Sequence, residues 1–171
     1  MSRSQSVASN SPITSNVTIT VETPLQDDVR TLVAALNSHL LPLSPVEFQF
    51  KMTVEQMAGE DTTVFVARDE SGNALGCGAL KIHGAHIGEV KRMFTLPAVR
   101  GQRIGAILLD AITQLAKDKG VTQLVLETGA VQGFDAAWRL YERSGFSRCG
   151  VVLDYPDSGH SVFYEKWLKQ S

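Results

Sequence analysis

Between Met93 and Ala106 the chain reads Met93-Phe94-Thr95-Leu96-Pro97-Ala98-Val99-Arg100-Gly101-Gln102-Arg103-Ile104-Gly105-Ala106. An apolar strand stops at a proline, a tight basic loop follows, and an amphipathic helix begins. The first backbone N–H groups of a helix have no partner inside it. They lie at the positive end of the macrodipole and form a ready anion site. Gly101 and Gly105 let backbone come close to a ligand, and Arg100 and Arg103 add formal charge beside it. A pyrophosphate suits such a site. The same segment also reads as an ordinary strand–turn–helix connection with solvated arginines, and the residues by themselves leave both readings open.

Other chemistries lack their residues. There is no G-x-x-x-x-G-K-[ST] phosphate loop. Gly76-Cys77-Gly78 lacks the third glycine of a dinucleotide fingerprint and sits among hairpin strands. There is no G-x-S-x-G nucleophile turn. The two cysteines, Cys77 and Cys149, have no metal-ligand spacing to each other or to the four histidines. His83 and His86 flank a turn at Gly84, and two imidazoles alone rarely hold zinc. No metal is expected.

The elements that must position the basic loop follow from periodicity. Val17 to Thr23 alternates β-branched and polar residues and predicts a strand. Val29, Leu32, Val33, Leu36 and Leu40 recur at helical spacing up to Pro42. Thr53 with Gln56 fits a capping box for a short helix through Ala58. Three strands joined by short turns follow, Thr62 to Arg68, Ala74 to Ile82 and Ile87 to Thr95, predicting an antiparallel meander. A long helix is expected over Gln102 to Lys119, its buried stripe formed by Ile104, Ile107, Leu108, Ala111, Ile112 and Leu115, with Gly120 just past its end. Val121 to Glu127 reads as a buried central strand. A helix carrying Phe134, Ala137, Leu140 and Tyr141 ends at Gly145, and strands Phe146 to Leu153 and Val162 to Leu168 complete the chain. The order β-α-(α)-β-β-β-α-β-α-β-β predicts one α+β domain, a mixed sheet flanked by helices.

Composition narrows the partners. The chain has 171 residues, the size of one domain, and a formal net charge of −2, which offers no footprint for nucleic acid or an anionic membrane. No apolar run approaches the ~20 residues that span a bilayer. Residues 1–16 are rich in Ser and Asn and read as a disordered tail, leaving 17–171 as the domain. The lack of an apolar leader and the sparse cysteines predict a reducing, cytoplasmic setting.

The stretch Arg100-Gly101-Gln102-Arg103-Ile104-Gly105 resembles the first motif of the GNAT acetyltransferase superfamily: a strand, a proline, then [RQ]-x-x-G-x-[GA] opening a helix. It departs at Arg103, where glycine is usual. Ala137-Trp138-Arg139-Leu140-Tyr141-Glu142-Arg143-Ser144-Gly145-Phe146 is similar to the family's A-x-x-L-Y-x-x-x-G-F signature. Gly76 to Lys81, Gly88 to Met93, Glu127-Thr128-Gly129, Asp154-Tyr155 and Ser161-Val162-Phe163 resemble a bacterial subgroup labelled indole-acetic-acid acetyltransferases. The fold and the donor are carried from this match, and that acceptor is not. The resemblance spans roughly Val17 to Leu168.

The resemblance implies a GNAT fold: about seven strands flanked by about four helices, with strands four and five splayed. It implies acetyl-CoA as cosubstrate, its pantetheine arm along Met93, Phe94 and Thr95, its pyrophosphate on Arg100, Gly101, Gln102, Arg103, Ile104, Gly105 and Ala106. Ala137 and Tyr141 lie on the donor helix, and Phe134 stands where the family often has a pantetheine-binding Asn. Tyr141 matches the general acid for the departing thiolate. Glu89 and Glu127 match alternative positions of the base, Glu89 sharing a strand face with Lys91 and Met93. Glu89 is open to an ion pair with Lys91 or Arg92, Glu127 to a structural bond across the splay, and Tyr141 to simple packing.

The implied activity is direct acetyl transfer to a small primary amine. Alternatives are acetylation of protein lysines or N-termini, and a non-catalytic acyl-CoA sensor. Lys91, Arg92 and Arg139 would suit a carboxylate-bearing amine, or simply be surface charge. The C-terminal edge strands would suit a homodimer.

Overall fold

The computed structural model describes residues 16–169, so the expected disordered tail lies outside the described residues except for Asn16. The strands are β1 (Thr18–Val21), β2 (Thr62–Arg68), β3 (Ala74–His83), β4 (Ile87–Thr95), β5 (Gln123–Gly129), β6 (Ser147–Cys149) and β7 (Ser161–Trp167). The helices are α1 (Asp27–Leu40), α2 (Val54–Met57), α3 (Ile104–Asp118) and α4 (Asp135–Arg143). One seven-stranded sheet has the order β1-β2-β3-β4-β5-β7-β6, and only the β4–β5 pair is parallel.

Each face of the sheet carries its own core. On one side α1 buries Val29, Leu32, Val33 and Leu36 against Val64, Val66, Cys77, Ala79 and Phe94. On the other, α3 buries Ile104, Leu108, Leu109, Ile112 and Ala116 against Phe65, Ala67, Leu80, Val90, Leu124 and Leu126. Each fully buried aliphatic side chain contributes about 1.5–3 kcal/mol. The stripe on α3 is rotated from the expected one: Leu109 and Ala116 go in, while Ile107, Ala111 and Leu115 are half-buried at its margin. Gly76 and Gly78 bring α3 down onto β3. A Cβ at Gly78 would lie 2.5 Å from Met93 Sδ and 3.0 Å from Ile112 Cδ1.

Several boundaries move for identifiable reasons. The Thr53–Gln56 capping box is formed, but its helix is a single turn. α3 starts at Ile104 because Gly101 and Arg103 both hold left-handed backbone, φ +84° and +67°. The expected strand Phe146 to Leu153 reaches only Cys149. Leu153 has φ +53°, incompatible with a pleated strand, and residues 150–160 turn across the sheet instead. At the opposite edge, Arg68 clamps β1 and α1 to β2 through Glu22 (Nη2 to Oε1, 2.7 Å) and Asp28 (Nη1 to Oδ2, 2.6 Å). This arginine holds the Glu22 carboxyl down at about 2.

Candidate active site

β4 and β5 separate early. Their pairing covers only Ile87, Glu89 and the glycine between them against Gln123 to Val125. Three residues on, Arg92 adopts φ +56°, and the β3–β4 register slips between Cys77 and Ala79. This is a β-bulge, one extra residue on β4. It reverses the phase of the strand. Glu89 and Lys91 lie on the α1 side, and Phe94 returns to that side in the core with Leu32 and Leu36. Met93 packs with the α3-side core instead. The expected shared face of Glu89, Lys91 and Met93 is therefore corrected: Met93 points the other way.

The splay opens a cavity of about 740 Å³ that passes from one face of the sheet to the other. It is lined by every expected donor-site residue except Gln102, and by Glu89, Glu127 and Tyr141. On the α3 side the helical ladder begins with the Ile107 N–H donating to the Arg103 carbonyl at 3.0 Å. The N–H groups of Ile104, Gly105 and Ala106 precede it, and no side chain caps the helix. That is the donor set an anion needs. Arg100 does not extend along this loop. Its Nε donates to the Thr95 carbonyl at 3.1 Å, and its guanidinium lies over the Phe94 ring. Gly105 makes its close approach to α4, where a Cβ would lie 3.1 Å from Leu140 Cδ2. Phe134 lies over Gly129, whose carbonyl accepts from Trp138 Nε1 at 2.9 Å. The start of α4 is thereby fixed against the end of β5.

The three catalytic candidates differ in how committed they are. Glu89 is 3% exposed, and both of its oxygens are engaged. Oε1 meets His83 Nε2 at 2.9 Å, while Oε2 accepts from Lys91 Nζ at 3.2 Å and from the Tyr155 hydroxyl. The Lys91 alternative is thus realised, and no bond joins Glu89 to Arg92. Glu127 accepts one hydrogen bond, from Ser161 Oγ to Oε2 at 2.6 Å. Burial pushes its carboxyl above the usual range, against the lowering effect of that bond and of Lys91. Tyr141 is 7% exposed and packs against Phe146 and Tyr164. Burial, then the charge of Glu127, pushes its phenol up, so it stays protonated.

Sequence reasoning assigned no role to Tyr155, although Asp154-Tyr155 was part of the resemblance. Its hydroxyl joins Lys91 (2.8 Å) and Glu89. Its ring meets Phe50 edge-on at 5.2 Å, and Phe48 stacks on His160 at 4.3 Å. These contacts roof the α1 side of the cavity. Gln49 shapes the roof, its Nε2 donating to the carbonyls of Leu40, Leu41 and Ser44. No periodic pattern marks residues 41–51 or 150–160, so their meeting was not readable. Among the described residues no cluster of three or more His, Cys, Asp or Glu could hold a metal.

Residues 60–148 match the family model described as an acetyltransferase (GNAT) domain. The chain is 41% identical over 155 residues to the IAA acetyltransferase of Azospirillum brasilense, covering 90% of this chain and 99% of that one. A crystal structure described as an acyl-CoA N-acyltransferase from Klebsiella pneumoniae superposes with TM-score 0.73 at 32% identity, covering 90% and 98% of the two chains. A GNAT family acetyltransferase from Elizabethkingia anophelis, solved with acetyl-CoA bound, shares the fold at TM-score 0.65 and 21% identity over 90% of this chain and 99% of that one.

Proposed function

Because this chain belongs to the GNAT acetyltransferase family, we propose that it acetylates a small primary amine by direct attack in a ternary complex. The observation that carries this reading is the pair Glu127 and Tyr141. They project from opposite faces of the sheet and line one cavity where β4 and β5 part.

Acetyl-CoA supplies the acyl group as a thioester. The uncapped first turn of α3, with Gly101 and Arg103 turning into it, fits the pyrophosphate. The β5-facing edge of β4 beyond Glu89 has no strand partner, which leaves backbone for the pantetheine amides. On the α1 side Glu127 takes a proton from the incoming ammonium. Its raised pKa brings it closer to the working pH of a base. The amine nitrogen then bonds to the acyl carbon as the C–S bond breaks. Tyr141, held neutral by burial, donates its proton to the sulfur and is reprotonated by the surplus proton of the new amide nitrogen, so CoA leaves as the thiol and Glu127 passes its proton to solvent. Glu89, already holding three partners, serves better to fix Lys91 and Tyr155 than to move a proton.

The aromatic roof over the α1 side supports a small acceptor over a protein side chain. Both cysteines are free thiols, which supports a reducing compartment, and the sheet edge at β6 is the place where a second copy would pair, although its three residues make a poor template. No helix among the described residues is long and apolar enough to cross a membrane.

Calorimetric titration with acetyl-CoA, with dephospho-CoA and ATP as controls, followed by thiol release with a panel of amines, tests the proposal. Saturable one-to-one binding and amine-dependent release of CoA are expected. Binding with no release for any amine would favour an acyl-CoA sensor.

A further inference from the structure

Among the described residues Arg92 has no counter-ion. It is 9% exposed and lines the cavity. Its one side-chain hydrogen bond runs from Nη2 to the neutral Asn37 Oδ1, and its Nε is buried without a partner. Among the described residues it forms no ion pair. The other basic residues considered from sequence are accounted for. Lys91 is neutralised by Glu89 at 3.2 Å, and Arg139 is exposed and paired with Asp135 at 3.1 Å. Burying a cation without an anion is costly, and an anion entering the cavity would offset that cost.

We propose that the acceptor is a carboxylate-bearing primary amine whose carboxylate binds the Arg92 guanidinium. The inference rests on the acyl-transfer reading above and names its substrate class. A guanidinium presents a planar fork matched to a carboxylate. The donor does not supply this anion: its phosphates fit the first turn of α3, while Arg92 is tied to α1 through Asn37. The pantetheine arm is uncharged. Glu127 and Arg92 line the same cavity and offer it opposite charges for the ammonium and carboxylate of one molecule.

The test has two arms. The first needs no donor. The protein, Arg92→Met and Arg92→Lys are titrated with 3-phenylpropionate and with 3-phenylpropionamide, followed by amide NMR shifts. Saturable shifts of cavity residues are expected for the carboxylate, at least about tenfold weaker for the amide, lost in Arg92→Met and partly kept in Arg92→Lys. Equal responses to the two probes, or none, overturn the proposal. Arg92→Lys retains a cation and keeps the comparison available should Arg92→Met fold poorly. The second arm measures thiol release with matched pairs, β-alanine against ethylamine and phenylalanine against phenethylamine. The ratio of kcat/KM within a pair is expected to favour the carboxylate by at least about tenfold and to fall toward one in Arg92→Met. A ratio near one in the unmodified enzyme overturns it. The two readings separate cleanly: failure to bind acetyl-CoA sinks acyl transfer, whereas donor binding without carboxylate discrimination sinks only the Arg92 assignment.

Discussion

Ser161 Oγ donates to Glu127 Oε2 at 2.6 Å across the β5–β7 pair, from a position opposite Gly129 rather than opposite Glu127 itself. Among the described residues this diagonal bond is the single hydrogen bond on the carboxylate. It stabilises the charged form and so opposes the burial that raises the pKa.

A base must be ionised to act, so the acidic limb of kcat/KM is expected above the usual carboxylate range. Ser161→Ala removes the lowering bond and should move that limb to higher pH. Glu127→Gln should lower kcat by about 10²–10⁴ while leaving acetyl-CoA affinity near its original value. A pH–rate profile and donor calorimetry on the two variants check both points. Stability has its own sign. A carboxyl raised in the folded state contributes stability below its unfolded pKa and loses it as pH rises through the folded one. Glu127→Gln should therefore melt higher than the parent at neutral pH.

Tyr141→Phe keeps the ring packed against Phe146 and Tyr164 and removes only the proton donor. Turnover is expected to fall by about 10²-fold with donor affinity little changed. An unaltered kcat with a verified acceptor would leave Tyr141 as a packing residue.

Gly129 and Phe134 occupy one space. A Cβ at Gly129 would lie 2.0 Å from Phe134 Cε2. Gly129→Ala should destabilise by about 1–3 kcal/mol and weaken donor binding by displacing the start of α4. Phe134→Ala in the same chain should recover part of the loss, a coupling that a double-mutant cycle by urea unfolding would measure.

Arg103 holds φ +67° where glycine is more at ease. Arg103→Gly is expected to relieve about 1 kcal/mol of backbone strain, less the entropy that glycine adds to the unfolded chain. Removing the cation should also weaken acetyl-CoA binding, more at low salt than at high. Melting temperature and donor titration at two ionic strengths separate the two effects.

Acid should loosen the β1–α1 edge. Glu22 is held down at about 2 by Arg68, so it contributes stability above its ordinary pKa and loses it as pH falls toward about 2. Arg68→Met should flatten the pH dependence of stability over that window.

The meander, the long helix and the basic loop were legible because each is local. Period-two runs gave β2 and β4 to the residue, and a proline and two glycines marked the loop. The α1 side of the cavity was not legible, since it is made of contacts between distant segments. Tyr155 meets Glu89 66 positions away, and Phe48 meets His160. The bulge was hidden for another reason. Arg92 is not a residue type that signals left-handed backbone, so simple alternation put Met93 on the wrong face.

That one extra residue makes β4 a boundary between two inheritances. Residues before it, Glu89 and Lys91, lie on the side where the proposed reading puts the acceptor, and Met93 after it lies on the side where that reading puts the donor. Changes on the acceptor side can accumulate without disturbing the side that reads CoA. On that reading a substitution before the bulge changes one side of the sheet alone, whereas insertion or loss of a single residue there would swap the faces of everything that follows and scramble both sides at once.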